Sequence, residues 1–175
     1  MGSKGYLSNI KFLVVDDNTF ARTLIRRILL QFGANDIQEA SNGEAAMEEV
    51  IAYRPDIIIV DWMMKPVDGM EFVRWLRDSK DSPDPFTPVI MVSAFSHMTN
   101  VLQARDAGIN EFLAKPISAK TLLTRIQAVI EKPRQFVRAD AYFGPDRRRR
   151  PLPHRGSERR GEDDEVVDLG PSTST

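Results

Sequence analysis

Cysteine is absent from the 175 residues. That excludes disulfides, thiolate metal sites and thiol nucleophiles. No apolar run approaches the roughly 20 residues of a membrane-spanning helix. The opening Met1-Gly2-Ser3-Lys4-Gly5 is too short and too polar for a secretory signal, so the expected compartment is the cytoplasm. Lysine is missing after Lys132, and every later base is arginine. The net charge of -1 hides this unevenness. Residues 1–133 hold 15 basic and 17 acidic side chains, a balanced body. Residues 134–160 hold 9 arginines against Asp140, Asp146 and Glu158. Residues 161–175 hold no base and five acids, Glu162, Asp163, Asp164, Glu165 and Asp168. With 42% hydrophobic and 28% charged residues, the composition is that of a soluble globular domain with an extension.

Apolar runs alternate with amphipathic stretches along the body. Phe12-Leu13-Val14-Val15 ends on Asp16-Asp17. Asp36 to Ala40 reads as a weaker strand. Ile57-Ile58-Ile59-Val60 is wholly β-branched and ends on Asp61. Pro88 to Val92 closes on Ser93-Ala94, and Glu111 to Ala114 closes on Lys115-Pro116. Between them the 3.6-residue period predicts helices. The first buries Phe20, Leu24, Ile25 and Ile28 and stops at Gly33. The second opens on a Ser41-Asn42-Gly43-Glu44 capping box and runs to about Tyr53. The third runs from Asp68 to about Lys80 and buries Met70, Phe72, Val73 and Leu76. The fourth ends at Gly108. The last is capped by Ser118, buries Leu122, Leu123, Ile126, Val129 and Ile130, and stops at Lys132-Pro133. Five β-α units imply an α/β domain over residues 10–132, a parallel sheet with helices on both faces. Residues 133–175 form a tail, expected to be largely disordered.

In such a sheet the residues that follow the strands share one edge, where α/β folds place their chemistry. Asp16, Asp17, Asp61, Ser93 and Lys115 therefore converge. Three carboxylates brought together repel, and without a cation at least one acquires a raised pKa. Oxygen-only ligands favour Mg²⁺. An aspartate between a divalent cation and an ammonium suits nucleophilic attack on phosphorus. The plainer alternative is a set of strand-end caps. Residues of the right type at four of the five strand ends weigh against it.

The stretches Val14-Val15-Asp16-Asp17, Ile59-Val60-Asp61-Trp62-Met63-Met64 with Asp68-Gly69, Val92-Ser93-Ala94 and Phe112-Leu113-Ala114-Lys115-Pro116 carry a resemblance. Residues 10–132 resemble the receiver domain of two-component response regulators. The resemblance implies a CheY-like, doubly wound, five-stranded parallel sheet of order 2-1-3-4-5. It makes Asp61 the phosphoacceptor. It makes Asp16, Asp17, Asp61 and the Met63 backbone carbonyl the Mg²⁺ ligands. Ser93 becomes the switch hydroxyl, Phe112 the aromatic switch residue, and Lys115 the phosphate-binding lysine with a cis bond to Pro116. A histidine kinase or phosphotransfer protein would be the donor. Such a protein accepts a phosphoryl group and slowly loses it, and is not an enzyme in the usual sense. Output would pass through phosphorylation-dependent binding of a downstream protein. One departure is Lys65, which pushes Pro66 one place beyond its usual position in the loop. A phosphatase with an aspartyl nucleophile is disfavoured, since Met63 holds the general-acid place.

In the tail, Phe136, Tyr142 and Phe143 are interleaved with arginines and offer faces for a base or for docking on the domain. Pro145, Pro151 and Pro153 deny it a regular helix. The stretch Phe143-Gly144-Pro145-Asp146-Arg147-Arg148-Arg149-Arg150 resembles the arginine-rich extension of Cle-type CheY-like proteins, which bind cyclic di-GMP and act on flagellar motors. By that likeness Asp146 and Arg147, Arg148, Arg149 and Arg150 would hold the dinucleotide. A disordered tail whose arginines pair with the terminal acids is the alternative. Those acids also disfavour general nucleic-acid binding, and no specific DNA binding is expected.

Met63 and Phe95 stand two places beyond Asp61 and Ser93, where rapidly dephosphorylating relatives carry polar, water-positioning residues. Large apolar groups there should exclude the attacking water. The purified phosphoprotein is expected to keep its phosphoryl group far longer than seconds, measured by decay of the labelled protein. A lifetime of seconds would contradict this.

Overall fold

The computed structural model describes residues 5–139 and 141–147, together with the backbone of 165–167. The body runs β1 (Lys11–Val15), α1 (Thr19–Gln31), β2 (Asp36–Ala40), α2 (Gly43–Tyr53), β3 (Ile57–Asp61), α3 (Gly69–Asp78), β4 (Val89–Ser93), α4 (Met98–Asp106), β5 (Glu111–Ala114) and α5 (Ala119–Glu131). The five strands pair in parallel in the order β2-β1-β3-β4-β5, as expected. Strand order reverses at β1, so a crevice opens beyond the carboxyl ends of β1 and β3.

Both faces of the sheet are covered. Leu13, Val15, Ile58, Val60 and Met91 pack with Phe72, Val73 and Leu76 on one side. Phe12, Val14, Ile57, Ile59 and Ile90 pack with Ile25, Leu29, Leu122 and Ile126 on the other. Burial on both faces is why the central strands are continuous apolar runs rather than alternating ones.

Several expectations need correction. Phe20 and Leu24 are exposed, while Ile25 and Ile28 are buried as expected and Leu29 joins them. Ile130 is also exposed. The apolar stripe of α1 is thus narrower than its composition, and its first turn faces water. The box at Ser41 does not form. Asn42 caps α2 by accepting from the Ala45 amide, one residue later. The domain begins before residue 10, because Leu7 is fully buried and its amide donates to the Phe32 carbonyl.

Part of the tail differs from expectation: residues 136–139 and 141–147 pack against the domain, while residues 140, 148–164 and 168–175 lie outside the described residues. β6 (Phe136–Ala139) and β7 (Tyr142–Pro145) form an antiparallel hairpin, and β8 (Glu165–Val167) pairs with the other side of β6. Of the two roles open to the interleaved aromatics, docking on the domain is the one observed. Phe136 and Phe143 are buried, with ring centroids 5.1 and 5.3 Å from that of Phe86. Gly144 is required, since a Cβ there would meet the Gly108 Cα at 2.9 Å. Gly108 itself has φ +100, the left-handed region that glycine tolerates. Pro145 ends its strand at the sheet's outer edge, where a missing amide is harmless.

Arg77 is the junction between body and hairpin. It is buried and donates to the carbonyls of Gly108, Pro85 and Thr87 and to Asn110 Oδ1, at 2.7–3.2 Å. Its guanidinium stands 5.2 Å from the Phe136 ring centroid. Burial draws its pKa down to about 10. Replacing Arg77 by Ala removes the side-chain donor from the buried carbonyls of Gly108 and Thr87 and from the part-buried carbonyl of Pro85, and should destabilise the chain by about 3 kcal/mol. Urea denaturation measures this, and a loss below about 1 kcal/mol would contradict the assignment.

Candidate phosphoacceptor site

The carboxyl edge of the sheet gathers the expected residues. Asp16 follows β1, and its backbone amide donates to the Ala40 carbonyl at 3.2 Å. Its Oδ1 accepts from the Asn18 amide at 2.9 Å, which orients the carboxylate. Asn18 in turn caps α1, accepting from the Phe20 and Ala21 amides. Arg22 grips the same turn, donating to the Asp16 carbonyl at 2.6 Å. Sequence reasoning passed over Asn18, although an Asn just after paired aspartates and just before a helix is a recognisable cap.

Asp61 ends β3 and is buried. The following loop is folded back by a bond from the Gly69 amide to the Trp62 carbonyl, 2.8 Å. A Cβ on Gly69 would collide with the Asp61 carbonyl oxygen. Only glycine lets α3 begin this close to the strand end. Asp68 and Glu71 close a capping box on that helix, fixing where the loop stops. The Lys65-Pro66 bond is cis.

Lys115 follows β5, and its bond to Pro116 is cis, as the resemblance implied. Its Nζ lies 2.9 Å from Asp61 Oδ1 and 3.2 Å from Asp16 Oδ2. One ammonium therefore ties the ends of β1, β3 and β5. Carboxylate oxygens of Asp16, Asp17 and Asp61 all lie within 4.8 Å of one another. Asp16 and Asp61 are buried, whereas Asp17 is exposed. Burial raises the Asp61 pKa; the bond from Lys115 opposes this, and the charges of Asp16 and Asp17 add to the rise. Burial lowers the Lys115 pKa, but the bond to Asp61 and the charges of Asp61 and Asp16 outweigh it, so the net shift is upward.

Ser93 is buried at the end of β4, where its Oγ accepts from the Phe95 amide at 3.0 Å. Phe112 lies on β5 within the core and is barely exposed. Met63 lies two places past Asp61 with an exposed side chain, and Phe95 is also exposed. The tail residues are elsewhere. Asp146 donates its amide to the Gln135 carbonyl, and Arg147 sits 3.9 Å from the Tyr142 ring centroid and 3.6 Å from Asp106. Arg148, Arg149 and Arg150 lie outside the described residues. The hairpin rests beside Gly108 and Asn110, which precede β5, whereas Lys115 follows it. It thus occupies the edge of the sheet opposite Asp61.

The donor set fits a divalent cation. The oxygens are hard, they converge from two strand ends, and their mutual repulsion is only partly relieved by one ammonium.

This geometry is a cluster of three carboxylates beside a lysine at the carboxyl edge of a parallel sheet. Residues 12–127 match the response regulator receiver domain family. The chain belongs to that family. It is 29% identical over 124 residues to the chemotaxis protein CheY-3 of Vibrio cholerae, covering 71% of this chain and 94% of that one. It is 31% identical over 123 residues to the response regulator MprA of Mycolicibacterium vanbaalenii, covering 70% of this chain and 51% of that longer protein. Among solved structures, the receiver domain of the Francisella response regulator 1452 superposes with a TM-score of 0.63 at 30% identity, covering 69% of this chain and 96% of that one. CheY4 of Vibrio cholerae gives 0.63 at 29%, covering 69% and 98%. Among the described residues, no helix is long and apolar enough to cross a membrane.

Because the Asp61 pKa is raised on folding, its charged form weakens the fold as pH rises from the unfolded value through the folded one. Above that window the cost is complete. Asp61→Asn should therefore raise the melting temperature at neutral pH in EDTA, and millimolar Mg²⁺ should narrow the gap by stabilising the parent. A variant that melts lower than the parent in EDTA would contradict the repulsion.

Proposed function

We propose that the chain is a phosphorylation-controlled switch of a two-component relay, with Asp61 as the acceptor and output by protein–protein binding. The observation that carries this reading is the Lys115 ammonium held 2.9 Å from Asp61 inside a cluster of three carboxylates. A similar chain, CheY of Borrelia burgdorferi, is known in a complex with CheX, beryllofluoride and magnesium; it shares 26% identity, with a TM-score of 0.63 over 69% of this chain and 88% of that one.

In the proposed reaction an Asp61 carboxylate oxygen attacks phosphorus on a phosphohistidine of a histidine kinase or phosphotransfer protein. The P–N bond breaks, and the imidazole leaves. Lys115 turns from the free carboxylate to the incoming phosphoryl oxygens. Mg²⁺, held by Asp16, Asp17, Asp61 and the Met63 carbonyl, would supply further positive charge toward those oxygens. Ser93 exchanges its bond from the Phe95 amide for one to a phosphoryl oxygen. Phe112 follows it, and the surface around β4, β5 and α5 changes its affinity for a downstream protein. Loss of the phosphoryl group is slow, so the protein stores a signal rather than turning over a substrate.

A second reading concerns the arginine segment. Arg147 stacks on Tyr142, next to Asp146, on an ordered hairpin. A stacked guanidinium beside a carboxylate suits a guanine ring and its donor edge, so the segment Arg147–Arg150 would bind cyclic di-GMP. Calorimetry with the dinucleotide on the full chain, against a variant with these four arginines changed to Ala, tests it. Equal heats from both proteins would sink that reading and leave the first untouched.

For the relay, acetyl phosphate with Mg²⁺ should place one phosphoryl group on the parent and none on Asp61→Asn. Lys115→Ala should slow incorporation on the order of 10²-fold to 10³-fold. Labelling of Asp61→Asn at the parent's rate would overturn the assignment.

A further inference from the structure

The two adjacent aspartates at the end of β1 are held differently. Asp16 is buried, tied by the Lys115 ammonium and by the Asn18 amide. Asp17 is exposed, yet one of its carboxylate oxygens lies within 4.8 Å of an oxygen from each of Asp16 and Asp61. An exposed side chain keeps such a place only if the backbone that carries it is fixed. The peptide joining Asp16 to Asp17 is planar, so a group that fixes the Asp16 carbonyl also fixes the Asp17 amide and Cα.

Arg22 is that group. It lies one turn into α1, and helical side chains lean toward the N-terminus, so its guanidinium reaches back over the turn. Nη1 donates to the Asp16 carbonyl at 2.6 Å, Nε to Glu39 Oε2 at 3.2 Å and Nη2 to Thr19 Oγ1 at 3.3 Å. The side chain is only 16% exposed. Glu39 lies on β2, in register with Val14 of β1, and its other oxygen stands 3.6 Å from Arg26. The planar fork is thus braced on a neighbouring strand and on the first helical residue while it grips the peptide between the aspartates. Glu39 also offsets the guanidinium charge, which alone would oppose a cation nearby.

We propose that Arg22 is a positioning residue for the divalent cation: braced by Glu39, it sets the Asp16–Asp17 peptide so that the exposed Asp17 carboxylate joins those of Asp16 and Asp61. The role rests on the three aspartates being a cation site, and it names what orients them. A role through charge alone has the opposite sign. Removing a positive charge near carboxylates tightens cation binding, whereas releasing the peptide weakens it. A merely structural role lowers the melting temperature and leaves the affinity of the folded protein unchanged.

The test is calorimetric titration of Mg²⁺ into the full chain, into Arg22→Met and into Arg22→Lys, with melting curves of each in EDTA to fix a temperature at which all are folded. Arg22→Met should weaken Mg²⁺ binding about tenfold, the low end of what losing a support of a metal ligand costs. Arg22→Lys keeps the charge but has no fork to span the Asp16 carbonyl and Glu39, and its affinity should fall between the other two. Affinity in Arg22→Met equal to the parent's, or tighter, would overturn the proposal. If that variant does not fold, parent-like affinity in Arg22→Lys would overturn it instead. A parent that takes up no Mg²⁺ would overturn the cation site itself, and this role with it, so the two failures are told apart.

Discussion

A single ammonium holds the functional edge of this molecule together. Lys115 reaches Asp16 and Asp61 at once, joining the ends of β1, β3 and β5 across a sheet whose centre is entirely apolar. Without it, the buried carboxylates of Asp16 and Asp61 would face each other with Asp17 alongside and no fixed counter-charge among the described residues. Even with it, Asp61 remains easier to protonate than a free carboxylate. The site is thus built under electrostatic tension, which a bound cation would relieve. Gly69, Asn18 and the Asp68–Glu71 box keep the flanking loops from relaxing that tension by moving apart.

Most of this arrangement could be read from the chain. Continuous β-branched runs such as Ile57 to Val60 require burial on both faces, and burial on both faces requires helices on both sides. Chemistry-bearing residues directly after such runs must then share an edge. Less legible were details set by local competition. Ser41 and Asn42 are both capable caps, and only the backbone path decides in favour of Asn42. Phe20 and Leu24 fit a helical stripe, yet the covered face of α1 starts at Ile25, and both stay exposed. Asn18 and Gly69 act through backbone contacts that leave little trace in a hydrophobic pattern.

The segment after Pro133 misled for a clear reason. Its arginines and prolines carry the composition of a solvated tail, and a pattern of ten residues is too short to register as a hairpin. The informative signals were the spaced aromatics Phe136 and Phe143 and the glycine at 144. Their meaning depends on partners far back in the chain, Phe86, Arg77 and Gly108. Arg77 shows the logic. A buried guanidinium surrounded by carbonyl oxygens needs cover, and the Phe136 ring supplies part of it. The described part of the extension is therefore packed on the domain at the edge away from Asp61.

The central claim is that Asp16, Asp17 and Asp61 form one cation site beside Lys115. Crystals of the full chain grown with Mn²⁺ in place of Mg²⁺ test it most directly, through the anomalous scattering of the ion. The account predicts one strong peak among the three carboxylates, with its nearest oxygens at about 2.1 Å. An anomalous map with no peak there, or with its peak at another acidic cluster while Lys115 still bridges Asp16 and Asp61, would contradict it.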